Sequence, residues 1–432
     1  MLLGSTANKP VCSGVYSYMR FGFLFLWLLA LAGLLGCGSR ANVARHNLAH
    51  RYDAESNFHL EHKLLDGGNF IRIYLNLSFG AGSYDNLEQV AQQWRFRYVV
   101  TSTYESQNIL LQDTLSVPRM VRQPNGSFSL IFNIKKPAEP NALMVLFASS
   151  SSGQQFVYDI PLPTAQLETD ARYLLFHKGN NSTPITTGAA QVGDTILLKS
   201  LTRDGRMLFM RHYPAPFQAA LPPMSTVSAG SGIFAGIRPA YTYQIKQTNL
   251  VTFQQEGYYH FSEDTLSDVG IGILVRPNLF PSLTRAPELV EPLIYITTRA
   301  ERSKLAIGNQ KEALDKFWLD ISNNPDYGRR IIKSYYENVE GANRLFSDFR
   351  EGWKTDRGMI YIIFGRPTEV LRDKSVEVWQ YEERQGQPEI RFLFDRKQGF
   401  LGQPMLEARR LPDYDRYWYA VVDQWRRGIA RR

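Results

Sequence analysis

Cysteine is scarce in this chain. Two occur in 432 residues, Cys12 and Cys37, which excludes a disulfide framework and leaves the protein to fold on ordinary hydrophobic cores, as its length allows. Charge of one sign is lacking too. The formal net charge of +8 comes from 49 basic and 41 acidic residues interleaved along the chain, which describes a solvated surface and no nucleic-acid footprint. There is no Walker A loop, no H-E-x-x-H, no G-x-S-x-G and no C-x-x-C pair, so the chemistries those patterns serve have no signature here. No convincing internal repeat occurs. Gly230-Ser231-Gly232-Ile233-Phe234-Ala235 fits G-x-G-x-x-A in form, but no βαβ context surrounds it and a β-turn is expected. No cofactor is expected.

Long apolar runs are also rare. One begins near Phe21 and covers roughly 15 residues, enough for a signal-peptide core and short of the about 20 that cross a bilayer. It leads into Leu34-Leu35-Gly36-Cys37, followed by Gly38, Ser39 and Arg40. This order resembles a bacterial lipoprotein signal. The resemblance implies a diacylglyceryl group on the Cys37 thiol, cleavage between Gly36 and Cys37, and acylation of the new amino terminus. Several acyl chains anchor durably where one is marginal, since each buried methylene contributes about 0.8 kcal/mol. The alternatives are a plain secretory signal or a weak transmembrane helix with a chance cysteine. Residues 1–36 then form the signal peptide, with a start expected at Met19, because Met19-Arg20 supplies a basic n-region and the residues before it carry only Lys9. Residues 37–57 are expected to be the acylated cysteine and a polar tether. No aspartate follows Cys37, so the resemblance favours the outer membrane, and the lack of an acidic stretch favours its periplasmic face.

What the chain has in plenty is aromatics, 13% of residues, which favour strands. Short β runs punctuated by turn signals fill residues 58–165: Phe70–Leu77, Trp94–Val100, Phe128–Phe132 after the Asn125-Gly126 turn, Leu143–Ala148 and Phe156–Ile160. Their spacing predicts an immunoglobulin-like β-sandwich. A second sandwich-like domain is expected over 166–280, with strands at Tyr173–Phe176, Thr195–Leu198, Met207–Arg211, Tyr241–Gln247 and Tyr258–Ser262. From 285 to 432 the period becomes helical. Thr298-Arg299-Ala300-Glu301 and Asn309-Gln310-Lys311-Glu312 read as capping boxes, and Asn324-Pro325 opens a long helix with the stripe Ile331, Tyr335, Val339, Ala342, Phe346 and Phe349. Strands are expected at Met359–Phe364, Val376–Tyr381 and Ile390–Phe394, then a helix stacking Tyr414, Trp418, Val421 and Trp425. The predicted fold class is multidomain: two immunoglobulin-like β-sandwiches, then an α+β domain with helices packed on a three-stranded antiparallel meander.

Ahead of Met359 stands Gly352-Trp353-Lys354-Thr355-Asp356-Arg357-Gly358. With the flanking Phe317-Trp318, Tyr335-Tyr336, Ala342-Asn343, Ile360–Gly365 and Pro367, it resembles the GWxTD domain, a family of bacterial envelope proteins, over roughly residues 285–432. The resemblance implies a fold and an address but no reaction. Each motif residue also has a structural reading: a left-handed helix cap at Gly352, a buried ring at Trp353, turn amides bound by Thr355 and Asp356, an arginine partner for Asp356, and close backbone approach at Gly358. The competing reading makes Asp356, Thr355, Lys354 and Arg357 the catalytic candidates of a cleft. Gly365-Arg366-Pro367, Val378-Trp379-Gln380-Tyr381 and the hairpin into Ile390–Phe394 are similar, more weakly, to SmpA/OmlA-like outer-membrane assembly lipoproteins.

His46, His50, His59 and His62 cluster, the first two at the i, i+4 spacing of helical metal ligands, but their helical pattern is poor and no metal site is expected. The basic end Trp425-Arg426-Arg427-Gly428-Ile429-Ala430-Arg431-Arg432 reads as a packing helix with a solvated tail. The expected function is a lipid-anchored, non-catalytic binding or scaffolding module whose partners are membrane lipid, through Cys37, and an envelope protein, glycan or peptidoglycan. The alternative is an envelope hydrolase or transferase with its site around Gly352–Asp356.

Overall fold

Alternation of apolar and polar residues builds the amino-terminal body. In a computed structural model, residues 43–427 are described apart from 54–55, 81–83, 107, 164–170, 181, 215–216, 227–233, 235, 267, 323–324 and 384–388. Cys37 and its signal, Met19, Asn324, nearly all of Gly230–Ala235 and the tail 428–432 lie outside the described residues. Strands β1 (Phe58–Asp66), β2 (Phe70–Phe79), β3 (Trp94–Thr101), β4 (Ile109–Thr114), β5 (Val121–Arg122), β6 (Phe128–Lys135), β7 (Leu143–Ser150) and β8 (Gln155–Pro161) form two antiparallel sheets, ordered β1-β2-β6-β5 and β4-β3-β7-β8. Helix α1 (Leu87–Gln93), capped by the Asn86 side chain, joins β2 to β3. Trp94, Phe96, Tyr98 and Val100 point into the core between the sheets, with Phe58, Ile73, Leu75 and Phe128 opposite.

The second body repeats the principle with β9 (Leu174–His177), β10 (Ala189–Gln191), β11 (Thr195–Lys199), β12 (Met207–Tyr213), β13 (Tyr241–Lys246), β14 (Val251–Thr252), β15 (Gly257–Ser262) and β16 (Gly270–Arg276). A five-stranded sheet, β10-β16-β15-β12-β13, faces a three-stranded one, β14-β11-β9. The β10–β16 pair is parallel. Leu175, Ile196, Leu198, Leu208, Phe261 and Ile273 fill the space between them.

The carboxy-terminal body comprises α2 (Ala286–Val290), α3 (Arg299–Leu305), α4 (Gln310–Ser322), α5 (Pro325–Phe346), α6 (Asp356–Phe364), the antiparallel sheet β17 (Glu369–Arg372), β18 (Val376–Tyr381), β19 (Ile390–Gln398), β20 (Pro404–Ala408), and α7 (Tyr414–Arg426). The capping box opening α3 is closed in both directions, Thr298 accepting from Glu301 N and Glu301 from Thr298 N. Spacings of three and four put Ile331, Tyr335, Val339, Ala342 and Phe346 on one buried face of α5, and Tyr414, Trp418, Val421 and Trp425 on one face of α7. No described helix is long and apolar enough to cross a membrane.

Two expectations fail here. The segment Met359–Phe364 is not a strand but the body of α6. Its β-branched and aromatic residues favour a strand, yet Thr355 caps it, accepting from Gly358 N at 3.0 Å, and Gly365 ends it at φ 76°. Met359 to Phe364 are all buried, and a short run apolar on every side fits a buried helix as well as a strand. The meander accordingly has four strands where three were expected, and Gly365-Arg366-Pro367 follows a helix.

The expected tether is also not free. From Val43 the chain forms two short 3-10 turns, Val43–Arg45 and Ala49–Tyr52, laid between the first sandwich and the third body. Leu48, Ala49 and Tyr52 are buried in a core that takes Val99, Val145, Phe147 and Val157 from the outer face of β3, β7 and β8, and Phe346, Tyr361 and Trp379 from the third body. Asn47 imitates a strand neighbour for β17: its side chain donates to Thr368 O and accepts from Val370 N, each at 3.0 Å, while Leu48 N donates to Val370 O at 2.8 Å. The His50 ring meets Phe156 and Tyr158 edge-on at 5.4 and 5.1 Å. Burial and Arg51 depress its pKa to about 4. Among the described residues no group of three or more His, Cys, Asp or Glu comes together as a metal site.

Candidate functional site

The motif lies where α5 gives way to α6. Gly352, Trp353 and Lys354 form a 3-10 turn, and Gly352 does not take the left-handed conformation expected of it. Its need is space: a Cβ there would stand 1.9 Å from Ala342 O, and one on Gly358 would stand 1.8 Å from Gly352 O. The two glycines let three stretches of backbone touch, and so fix the angle at which α6 leaves. Asn343, on α5, accepts from Trp353 N at 3.1 Å, and Ser347 from Gly352 N at 3.0 Å. Tyr295 donates to Trp353 O at 2.9 Å and turns its ring edge-on to the indole. Thr355 donates to Gly352 O at 2.7 Å while capping α6.

Two charged motif residues, and Glu351 just ahead of the motif, are sealed in this turn. Lys354 is 3% exposed and Asp356 is 1% exposed. Lys354 Nζ lies 3.0 Å from Glu351 and 5.2 Å from the Trp353 ring centre, and Glu351 also meets Arg276 of β16 at 3.1 Å. Asp356 accepts from Arg410 Nη2 at 2.6 Å. Burial pushes the Asp356 carboxyl above the usual carboxylate range, Arg410 and Arg350 opposing it. Burial acts the same way on Glu351, but there the charges of Lys354 and Arg276 outweigh it and its pKa falls. Two surface clefts, one bounded by Tyr74, Ser129 and Thr183, the other by Arg172, Tyr173, Ser262 and Asp264, have no motif residue in their walls.

The four catalytic candidates are not brought together. Lys354, Thr355 and Asp356 belong to the turn. Arg357, the next residue on α6, joins a second buried network beside the strap that Asn47–Asp53 forms between the two bodies, 3.4 Å from Tyr52 OH and 3.9 Å from Glu377. At the centre of that network is Arg372. It donates to both oxygens of Asp159 at 3.0 Å, to Glu377 at 2.7 Å and to Tyr52 OH at 2.8 Å. Arg51 also pairs with Asp159, Tyr104 donates to Asp159 at 2.8 Å, and Tyr52 and Trp379 donate to Glu377 at 2.8 and 2.7 Å. Burial alone would raise both carboxyls, but Arg372 with Arg51 for Asp159, and Arg372 with Arg357 for Glu377, hold each at about 2. Reading the sequence missed this network, whose bonded partners are separated by up to 325 positions. One signal for it existed: Leu143–Ala148 is apolar without alternation, as a strand covered on both faces must be.

A family model for the GWxTD domain matches residues 257–427. The matched stretch opens at β15, so two central strands of the second sandwich belong to it, and the Arg276–Glu351 pair ties β16 to the motif turn. The match covers the GWxTD domain, while the SmpA/OmlA likeness of the meander gains no support from it. No curated protein matches the chain.

Proposed function

We propose that the chain is a non-catalytic binding or scaffolding module of the bacterial cell envelope, held by lipid on Cys37 at the periplasmic face of the outer membrane, and that its partner is an envelope protein or glycan. The observation that carries the reading is the motif turn itself. Lys354, Thr355 and Asp356 face inward, bound to Glu351, Gly352, Gly358 and Arg410, and a catalytic group must instead reach its substrate. The strand order of the first sandwich, β1-β2-β6-β5 over β4-β3-β7-β8, is compatible with the immunoglobulin-like layout expected of it, a layout common among recognition modules. The rival, an envelope hydrolase or transferase around Gly352–Asp356, has Asp356 as its acid or base.

Crosslinking in cells followed by pull-down from solubilised envelope tests the two. One stoichiometric partner, retained by a folded Asp356→Asn variant, is the expected result. No partner, together with turnover of an envelope polymer that Asp356→Asn abolishes, overturns it. Globomycin-sensitive processing and protection from proteinase on whole cells are expected for the anchor and its leaflet.

A further inference from the structure

The strap is bonded to the third body through Asn47, Leu48 and Tyr52, and to the first sandwich through Arg51. Asn47 is the tenth residue after Cys37. We propose that Asn47–Asp53 is the joint through which the lipid anchor holds the protein, so that the bilayer lies against the seam between the first sandwich and the β17 edge. The GWxTD domain then stands close to the membrane surface and is not projected from it on a long tether. This rests on the anchor at Cys37 proposed above.

Chain length sets the geometry. A fully extended segment spans at most about 3.3–3.6 Å per residue, so ten residues keep Asn47 within about 35 Å of the acylated cysteine. A tether running free to Phe58, twenty-one residues on, would reach about 70 Å. For a flexible chain the typical separations are about 17 and 25 Å. The joint is built to stay closed. Leu48 is 0% and Tyr52 4% exposed, and lifting the strap would strip Asp159 of Arg51 and Glu377 of the Tyr52 hydroxyl. Exposing such side chains gives up their apolar burial, in addition to the ionic loss.

The test uses lipidated full-length protein on vesicles carrying an energy-transfer acceptor in the headgroups. Lys374, exposed in the turn between β17 and β18, is replaced (Lys374→Cys) and carries the donor; the Cys37 thiol is occupied by lipid. A flexible insert of about twenty Gly and Ser residues after Ser39 should lower transfer about twofold, because it lengthens the path to the joint. The same insert between Ala54 and Glu55 lies beyond the joint and should leave transfer unchanged. Equal losses from both inserts, or none from the first, overturn the strap and leave the anchor standing. A chain that floats free of vesicles, its Cys37 unmodified by mass, overturns the anchor and this proposal with it.

Discussion

Asp356 in the motif turn and Asp159 beneath the strap are both sealed from water and both paired with arginine, yet burial wins at the first and pairing at the second. Asp356 takes one close bond from Arg410, and Glu407 adds like charge nearby. Asp159 takes Arg372 on both oxygens, Arg51, and the Tyr104 hydroxyl. Desolvation of a carboxylate is large at either place, so the number of donors decides the sign. The motif turn accordingly tolerates a poorly compensated charge in a closely packed setting. The strap network depends on its charges to join two bodies.

The largest test of that difference removes Arg372. Arg372→Ala leaves two buried carboxylates short of their main partner, and a loss of about 3–5 kcal/mol is expected in denaturant unfolding. Acid reads the same network. Asp159 and Glu377 have folded pKa values near 2, below their unfolded values, so their contribution is whole above about pH 4.5 and is lost as pH falls toward 2. An earlier, separate loss comes from His50 and His260, which burial holds to about 4 and about 3. The unfolded chain takes up their protons from about pH 6.5 downward while the folded one does not. Two-stage acid unfolding is expected for the native chain, with the lower stage missing from Arg372→Ala. A single stage in both would break the comparison.

Backbone contact gives the next effect. Gly352→Ala drives a Cβ into Ala342 O, a rigid neighbour that cannot turn aside, and a loss of about 1–3 kcal/mol or more is expected in thermal or denaturant melts. The motif would then prove structural at its glycine whatever its aspartate does.

How much of this was legible follows the same division. The α5 and α7 faces, the Thr298–Glu301 box and most strands of the sandwiches came from local periodicity and capping chemistry, which a few neighbouring residues settle. The motif turn was legible only in part: Thr355 caps α6 through Gly358, three positions on, whereas Gly352 is fitted against Ala342 O and Asp356 is bound by Arg410 from 54 positions away. Met359–Phe364 misled because β-branched residues buried on all sides carry no period. The strap misled for a deeper reason: Asn47, Arg51 and Tyr52 are polar and lack a repeat, as a tether would be, and their partners Asp159, Arg372 and Glu377 are set beside them only by the tertiary fold. Of the four candidates at the motif, Arg357 was misplaced because α6 as a helix turns it away from Asp356.

The smallest effect is the most discriminating. For Asp159→Asn, a folded pKa near 2 against 3.8 converts to about 2 kcal/mol of lost stability. Asp356→Asn should cost about 1 kcal/mol or less, because burial makes the charged carboxyl less favourable in the fold than in water, and the amide oxygen can still accept from Arg410. Its sign with pH is opposite too: native stability gains from Asp356 as pH falls through its raised pKa, and the Asn variant lacks that gain. If Asp356→Asn melts as late as expected and keeps its crosslinked partner, the aspartate is a packing residue. A variant that folds equally well and fails in the cell gives Asp356 a role that its burial does not explain, and the rival site regains its case. Equal losses from the two substitutions would show that donor number does not set the difference between these carboxylates.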